Sequence, residues 1–332
     1  MSKEQPILVA IHCLVYNHEP YLCDCLEGFV MQKTNFRFVA IVHDDVSTDK
    51  SAEIIREYAE KYPDIIKPIF ETENQYFKPG RALDKIMNDA IDSTSAKYVA
   101  MCEGDDYWTD PYKLQKQVNL LEEHPAISIC INQVRTVSRN KELLDTYMPS
   151  NDIIKQGVFS LEDFCRLEWG NMQWVFHFNG FMCRKEYAVD WLQNDVLCMI
   201  PYGDMPLLLY CLLQGNGYYI HEQMSCYRVD SGGFNTTISA NPLRSIQTER
   251  KLAFALQAFD EYTHRQYHKY IQQRIRLCEY REYTLGKKSL WKILLPKYWK
   301  CIPGKTARKK MLNVIEIISP QTRRFLKILK QR

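Results

Sequence analysis

Apolar stretches of strand length alternate with stretches of helical spacing through the first 125 residues. The apolar runs lie at 7–15, 36–42, 65–70 and 97–102, and the helical stretches at 19–32, 54–62, 80–91 and 111–124. Strands that are apolar at nearly every position are typical of a sheet covered on both faces. The repeated strand–helix units therefore predict an α/β fold with a parallel sheet between layers of helices. Pro68 lies inside the third run, which predicts an edge strand or a bulge.

The pattern changes after about residue 126. Strands are predicted at 127–137, 180–183 and 218–220, a helix start at 160–163, and a helix at 207–214 that Gly203 and Asp204 open. From Pro242 onward the spacing is mostly helical. The second half is thus predicted to extend the sheet and then to end in helices.

Composition indicates a soluble globular protein. The 332 residues suffice for one large domain or two modest ones, and 46% of them are hydrophobic. The 12 cysteines form no Cys-x-x-Cys pair, which is typical of a reduced, cytosolic protein. The N-terminus shows no apolar segment of signal-peptide length, and no apolar run approaches the roughly 20 residues that span a bilayer. A cytoplasmic location is therefore expected.

Basic residues are concentrated at the C-terminal end. Of 43 lysines and arginines, 14 lie between Gly286 and Arg332, where Glu316 is the one acid, so residues 1–285 hold 29 basic and 39 acidic residues. In 291–300 and 323–330 these cations are interleaved with Trp, Phe, Leu and Ile, which suits an anionic membrane surface. The acidic body and the lack of a recognised motif argue against nucleic acid, and a solvated face is the remaining alternative. We expect peripheral association with the inner face of the cell membrane.

Polar residues follow three of the predicted strands. Tyr16 and Asn17 come after the first, Asp44 and Asp45 after the second, and the segment 103–106, with three acids in four residues, after the fourth. Ligands of open parallel sheets bind at the carboxyl ends of strands, so these loops are expected to form one site. Buried carboxylates must be paired or bound to a cation, which favours a hard metal ion over a solvated loop that only caps the next helix.

These loops, together with Gly203-Asp204 and Tyr227-Arg228, resemble the family 2 glycosyltransferases of the GT-A fold over roughly residues 5–235. An Asp-Asp pair alone is weak evidence, whereas five segments in the family's order are strong evidence. The resemblance implies a mostly parallel, Rossmann-like central sheet flanked by helices. It implies a GT-A domain at 1–238, with a nucleotide-binding half at 5–125 and an acceptor half at 126–238, and a basic helical extension at 239–332.

The resemblance also implies a role for each matching residue. Tyr16 and Asn17 would contact the nucleotide base, Asp45 together with Asp44 would read its imide, and Asp204 would be the general base. The metal ion, Mn²⁺ or Mg²⁺, would be held within the DXD-type cluster and by Asp230, which stands where the family often has His. The full set comprises Asp204 for catalysis, Tyr16, Asn17, Asp44, Asp45, Arg81, Asp105 and Arg228 for the nucleotide sugar, and Glu103, Asp105, Asp106 and Asp230 for the metal.

Two departures from the family pattern affect these expectations. Val46 stands where glycine usually follows the Asp-Asp pair, and a β-branched residue is costly if the turn needs a positive φ. Met87 stands where many members have Arg, so Arg81 is expected to supply the cation that faces the phosphate or the base. The Gln-x-x-Arg-Trp segment of processive synthases is not found, which favours transfer of one sugar at a time.

The expected function is therefore metal-dependent, inverting transfer of a sugar from a nucleotide-diphosphate sugar, most of all a UDP-sugar, to a saccharide or lipid-linked acceptor. Cell-surface polysaccharide or lipopolysaccharide assembly is the expected context. An inactive binding module that acts as a partner subunit is the alternative, and a nucleotidyltransferase is disfavoured because no Gly-rich phosphate loop lies near residue 17. Six aromatic residues could contact the acceptor or fill the core: Trp169, Trp174, Phe176, His177, Phe178 and Phe181.

Overall fold

The computed structural model describes residues 6–76, 78–232, 241–287, 290–304 and 306–318, apart from the side chain of Glu316. The chain divides into two compact units. The first comprises the described residues of Met1–Phe164, Trp174–Cys198 and Tyr202–Gly233, and the second those of Cys165–Gln173, Met199–Pro201 and Phe234–Arg332. The predicted domain boundary at 238/239 lies outside the described residues.

The first unit is built on one ten-stranded sheet with the order β3-β2-β1-β4-β9-β6-β10-β5, to which β7 adds beside β6 and β8 beside β10. The strands are β1 (Ile7–Val15), β2 (Arg37–Asp44), β3 (Ile66–Phe70), β4 (Tyr98–Met101), β5 (Tyr107–Trp108), β6 (Ile127–Val137), β7 (Leu143–Met148), β8 (Gly157–Phe159), β9 (Phe181–Arg184) and β10 (Asn216–Arg228). The helices are α1 (Leu22–Val30), α2 (Ser51–Lys61), α3 (Ala82–Asp92), α4 (Lys113–Glu123), α5 (Leu161–Phe164), α6 (Lys185–Asp190), α7 (Asp195–Cys198) and α8 (Asp204–Gln214).

The predicted parallel sheet is confirmed for β1 to β4, which pair in parallel. Beyond β4 the sheet is mixed, because β9 runs antiparallel to both β4 and β6, while β10 is parallel to β6. The edge position predicted from Pro68 is also confirmed, since β3 is the terminal strand of the order. The sequence patterns did not predict β5, β7 or β8, which contain two, six and three residues.

The hydrophobic core on one face of the sheet includes alternate side chains of the strands. Alternate residues of β1, from Val9 to Val15, are buried against apolar side chains of α1, α2 and α4, including Leu26, Ile55 and Leu114. The register places Val15 beside Asp44, and Asp44 beside Phe70, so β1, β2 and β3 end level with one another. Their following loops therefore leave from the same edge of the sheet.

The second unit is mostly helical, with α9 (Pro242–Tyr262), α10 (His268–Gly286) and α11 (Ala307–Ile318). Asn241 caps α9, because its side chain accepts hydrogen bonds from the main-chain N–H groups of Leu243 and Arg244. Among the residues that the structure describes, no helix is long and apolar enough to cross a membrane.

Candidate active site

The loops after β1 and β2 are bound to each other. Asn17 Oδ1 accepts a hydrogen bond from the main-chain N–H of Thr48 at 2.7 Å, and the Asn17 N–H donates to Ser47 Oγ at 2.9 Å. Asn17 has a φ of 57°, a left-handed conformation that asparagine tolerates better than most residues. Tyr16 beside it is 46% exposed, so an aromatic ring is left facing solvent at this edge of the sheet.

The acidic loop after β4 packs on the end of β1. The N–H of Gly104 donates to the carbonyl of Leu14 at 2.9 Å. A Cβ at position 104 would lie 2.7 Å from His18 Nδ1 and 2.9 Å from Val15 Cγ2, both closer than side chains approach. Glycine is therefore required there, and the acids on either side of it are brought next to the first loop.

The two aspartates after β2 have different environments. Asp45 is buried, and its carboxylate accepts hydrogen bonds from the N–H groups of Gln75 at 2.6 Å and Tyr76 at 3.1 Å. Asp44 Oδ2 accepts from the Ser47 N–H, whereas Asp44 Oδ1 is buried without a hydrogen-bond partner among the described residues. A buried carboxylate oxygen is costly unless a donor reaches it, so Asp44 is better placed than Asp45 to receive a ligand.

The two aspartates of the acidic loop also differ. Asp106 is buried, and its carboxylate accepts hydrogen bonds from the Arg228 N–H at 2.8 Å and from Asn179 Nδ2 at 3.2 Å. Burial and the nearby charge of Asp105 raise the pKa of Asp106 well above its usual range. Asp105 accepts a 2.6 Å hydrogen bond from Ser231 Oγ at one carboxylate oxygen. Asp106 thus supports the loop, while Asp105 is bound by Ser231, the residue that follows the exposed Asp230.

Arg228 lies beneath the acidic loop with only 1% of its surface exposed. Its three guanidinium nitrogens donate to the Asp105 carbonyl, the Arg139 carbonyl and the Asp24 carboxylate, at 2.9, 3.1 and 3.0 Å. Tyr21 and Tyr107 cover the guanidinium, with ring centroids 4.7 and 5.3 Å away. This geometry does not support the predicted contact with a diphosphate, because the charge is already paired and buried.

Glu103 of the acidic loop lies within electrostatic reach of two other carboxylates, Asp105 of the same loop and Asp204. Partial desolvation and the negative charges of Asp105 and Asp204 raise the pKa of Glu103. Because the Glu103 side chain is exposed, we attribute this rise mainly to the two neighbouring charges. Burial raises the pKa of Asp204 to about 6, while a hydrogen bond from the Met205 N–H opposes the rise. Asp204 begins α8, so this helix brings the predicted base to the acidic loop.

Arg81 is also brought to this region. Its Nη2 donates to the Tyr202 carbonyl at 3.0 Å, and its Nη1 lies 3.3 Å from Asp84. Its guanidinium lowers the pKa of Asp204 against the effect of burial. Arg81 therefore faces the segment that precedes Asp204, and its contact with a phosphate remains a prediction.

The structure separates the six aromatic residues that the sequence grouped together. Trp169, Phe176, His177 and Phe181 are buried, and Phe178 is half-buried. Trp174 is 40% exposed and packs edge to face with Tyr202, at a centroid distance of 6.1 Å. Because Tyr202 is two residues from Asp204, Trp174 is the ring of this group that best fits an acceptor contact.

A divalent cation is compatible with these residues. Among the described residues, no three His, Cys, Asp or Glu side chains form a complete metal-binding group. Mg²⁺ at nucleotide sites commonly takes only one or two protein carboxylates and completes its shell with phosphate oxygens and water. Asp105 supplies oxygens of that kind, as do the exposed Glu103 two residues before it and the exposed Asp230, which precedes its hydrogen-bond partner Ser231.

Some residues that build the site were not predicted. Asn179, 73 residues away from Asp106, holds its carboxylate, and Ser231 binds Asp105. Gln75 and Tyr76 engage Asp45 through main-chain groups, which carry no side-chain signal in a sequence.

The sequence matches Glycosyl transferase family 2 over residues 11–185. Since the match covers more than half of the chain, the protein belongs to this family. The uncharacterized protein Rv1520 of Mycobacterium tuberculosis is 40% identical over 129 residues, which are 39% of this chain and 36% of the relative. The chain thus spans about a third of the length of that relative.

Solved structures show the same fold. The structure of Staphylococcus aureus TarS 1–349 in complex with UDP-GlcNAc has a TM-score of 0.57 at 16% identity, covering 94% of this chain and 82% of TarS 1–349. The mannosyltransferase PcManGT from Pyrobaculum calidifontis, in complex with GDP-Man and Mn²⁺, has a TM-score of 0.51 at 13% identity, covering 96% of this chain and 89% of PcManGT. The α/β fold is therefore that of the GT-A glycosyltransferases, as the sequence predicted.

Proposed function

We propose that this protein is a metal-dependent, inverting glycosyltransferase. It would move a sugar from a nucleotide-diphosphate sugar to a saccharide or lipid-linked acceptor, and a UDP-sugar is the favoured donor. The observation that carries the proposal is that Glu103 of the acidic loop lies within electrostatic reach of both Asp105 and Asp204, at the edge where β1, β2 and β4 end. Neighbouring carboxylates repel one another and do not stabilise a fold by themselves, whereas sugar transfer requires both a cation site and a base.

The nucleotide would bind on the side of the first two loops. The exposed ring of Tyr16 can stack on a base. Asp44 Oδ1, which has no hydrogen-bond partner among the described residues, can accept a hydrogen bond from the imide N–H of a uracil. We therefore assign imide recognition to Asp44 and a supporting role to Asp45, whose carboxylate holds Gln75 and Tyr76. The UDP-GlcNAc in TarS supports a uridine donor.

The diphosphate would lie next to the acidic loop. Asp105, assisted by Glu103 and Asp230, would hold Mn²⁺ or Mg²⁺, and the Mn²⁺ in PcManGT supports this assignment. The ion, when bound, neutralises the charge that develops on the leaving diphosphate. Asp106 would keep the loop in place through Asn179 and Arg228.

The acceptor would enter on the side of Asp204. A sugar hydroxyl is too weakly acidic to attack unaided, so the Asp204 carboxylate would take its proton, a contribution of about 10²–10⁴-fold. One displacement without a protein nucleophile inverts the anomeric carbon. The exposed Trp174 ring beside Tyr202 offers a surface on which a sugar ring of the acceptor can stack.

The proposed setting is the cytoplasmic face of the cell membrane, during assembly of a cell-surface polysaccharide or lipopolysaccharide. Lipid-linked acceptors are found at that surface, and the basic, aromatic C-terminal sequence supports this location.

The test is a panel of nucleotide sugars, each incubated with the purified chain in Mn²⁺ or EDTA, with donor hydrolysis and donor binding measured separately. Asp105→Asn is expected to abolish Mn²⁺-dependent donor binding, whereas Asp110→Asn, at a neighbouring acid that pairs with Lys116, is not. The Asp204→Asn variant is expected to bind the nucleotide sugar but to convert little of it. Donor binding without turnover in the wild type would favour the binding-module alternative, and no response to any nucleotide sugar would overturn the proposal.

A further inference from the structure

The segment from Leu290 to Ile302 in the second unit has two different faces. Ile293 and Tyr298 are buried in a small core with Leu277 and Ile302, and Tyr298 Oη donates to Glu279 Oε2 at 2.7 Å. Two short 3₁₀ helices, Leu290–Leu294 and Pro296–Tyr298, fix the main chain between these anchors. The orientation of the outward side chains is therefore set by packing.

The outward face carries four large apolar side chains. Trp291 is 62% exposed, Leu294 53%, Leu295 40% and Trp299 40%. We call these four residues the Trp291 patch. Single exposed apolar residues are ordinary, but two tryptophans and two leucines within nine residues form a group that a soluble surface does not need.

Lysines lie around this patch. Lys310 donates to the Trp299 carbonyl, and its Nζ lies 5.5 Å from the centroid of the Trp299 ring. Lys300 is exposed, and Lys292 is half-buried with its Nζ 5.2 Å from the Tyr283 ring centroid. The charge of a further lysine, Lys297, is paired, because its Nζ lies 3.0 Å from Glu279 Oε2. Lys310 thus contacts the patch itself, and Lys292 and Lys300 each follow one of its tryptophans in the chain, so positive charge accompanies the exposed apolar side chains.

We propose that the Trp291 patch is a membrane-docking surface that inserts its rings into the headgroup region of an anionic phospholipid bilayer. Tryptophan favours the boundary between hydrocarbon and water, and each lysine near an anionic surface adds attraction. Protein interfaces are depleted in lysine, so a lysine-rimmed patch fits lipid better than a protein partner. The proposal rests on the proposed function only for the reason why a membrane is nearby.

The test is co-sedimentation of the full chain with vesicles, either of phosphatidylcholine alone or of phosphatidylcholine mixed with phosphatidylglycerol. Binding to the mixed vesicles is expected, with a decrease as salt is added. Trp291→Ser is expected to weaken binding about tenfold, as is Trp299→Ser, because each removes a ring from the interface. Lys300→Gln is expected to weaken it about fivefold.

Controls separate this proposal from loss of folding and from loss of catalysis. Leu143→Ser and Val158→Ser remove apolar side chains that are both 61% exposed in the first unit, and neither should change vesicle binding. Trp291→Phe should restore most of the affinity lost in Trp291→Ser. Asp105→Asn should bind vesicles like the wild type, so failure of the transferase proposal would leave this one standing.

Four outcomes would overturn the proposal. The first is that the chain does not bind anionic vesicles at low salt, and the second is that it binds neutral vesicles equally well. The third is that the Trp291→Ser/Trp299→Ser variant binds vesicles like the wild type, and the fourth is that the wild type self-associates and this variant does not. Tighter binding to a single-stranded oligonucleotide than to vesicles would assign the patch to nucleic acid instead.

Discussion

Arg228 Nε donates a hydrogen bond to the main-chain carbonyl of Asp105 at 2.9 Å, while the Arg228 N–H donates to the Asp106 carboxylate at 2.8 Å. One residue of β10 thus holds both aspartates of the acidic loop. The same guanidinium pairs with Asp24 of α1 at 3.0 Å. Arg228 therefore helps to hold the acidic loop against the sheet, and its contact with a diphosphate remains a prediction.

Arg228→Met is expected to lower the free energy of unfolding by about 1–3 kcal/mol, because the Asp105 and Arg139 carbonyls lose a buried donor. Asp24 also loses its buried partner, although Lys141 still pairs with it. Urea denaturation of the two proteins measures the difference. Arg139→Met is the matched control, since the Arg139 side chain is exposed and should change stability by less than about 0.5 kcal/mol. Wild-type stability of Arg228→Met, together with a loss of donor affinity alone, would instead support the diphosphate contact that the resemblance implied.

Val46 adopts a φ of 62° at the turn after the two aspartates, a left-handed conformation that is unfavourable for a β-branched residue. Val46→Gly is expected to raise the free energy of unfolding by about 1 kcal/mol, because glycine adopts this φ without strain, although it also loses more entropy on folding. Thermal and urea denaturation check the sign. Ala52→Gly in α2 is the control and should be destabilising by about 1 kcal/mol. A lower melting temperature for Val46→Gly would show that the valine side chain contributes more than its backbone strain costs.

The local sequence pattern was sufficient for β1 to β4 and their helices, because each element depends on its own apolar spacing. It was not sufficient to rank Asp44 against Asp45. The two are adjacent and chemically identical, and what distinguishes them is the pair of main-chain amides at Gln75 and Tyr76. These amides reach Asp45 only through the tertiary structure.

The predictions for Arg228 and for the aromatic residues depended on burial, which is also set by the tertiary structure. The spacing of Arg228 in the chain is equally compatible with a ligand contact and with a buried pair, and only the covering rings of Tyr21 and Tyr107 decide between them. Trp174 differs from the aromatic residues near it in exposure, which no local pattern encodes.

Lys113 is completely buried in α4, where its Nζ donates to Gln117 Oε1 at 2.6 Å and lies 4.6 Å from the Trp108 ring centroid. Burial lowers the pKa of Lys113 from 10.5 to about 8. Between these values the unfolded chain holds a proton that the folded chain does not, so stability rises with pH across this range. Below about pH 8 the folded protein carries the full cost of the buried ammonium group, about 3 kcal/mol.

Lys113→Met is therefore expected to stabilise the protein at about pH 7. The increase in the free energy of unfolding should be smaller than about 3 kcal/mol, because the hydrogen bond to Gln117 is lost. At about pH 10 the increase should be smaller still, because the folded wild type then holds a neutral amine. Urea denaturation at both pH values measures this. Lys116→Met, at a half-buried lysine of the same helix whose ammonium group pairs with Asp110, should change stability by about 0.5 kcal/mol or less. A stabilisation that does not vary between the two pH values would show that the effect comes from packing and not from the buried charge.

The raised pKa of Asp204 predicts how the rate of transfer depends on pH. Burial raises this pKa to about 6, so the carboxyl group is protonated below that pH and cannot accept a proton from the acceptor. At saturating donor, the rate is expected to increase with pH up to about 6 and then to level off. Asp204→Asn should lower the rate by about 10²–10⁴-fold and abolish this limb of the profile, with little change in donor affinity. Asp195→Asn, at an exposed aspartate that begins α7, should retain both the rate and the profile. If the limb persists in Asp204→Asn, another group titrates there and Asp204 only begins its helix.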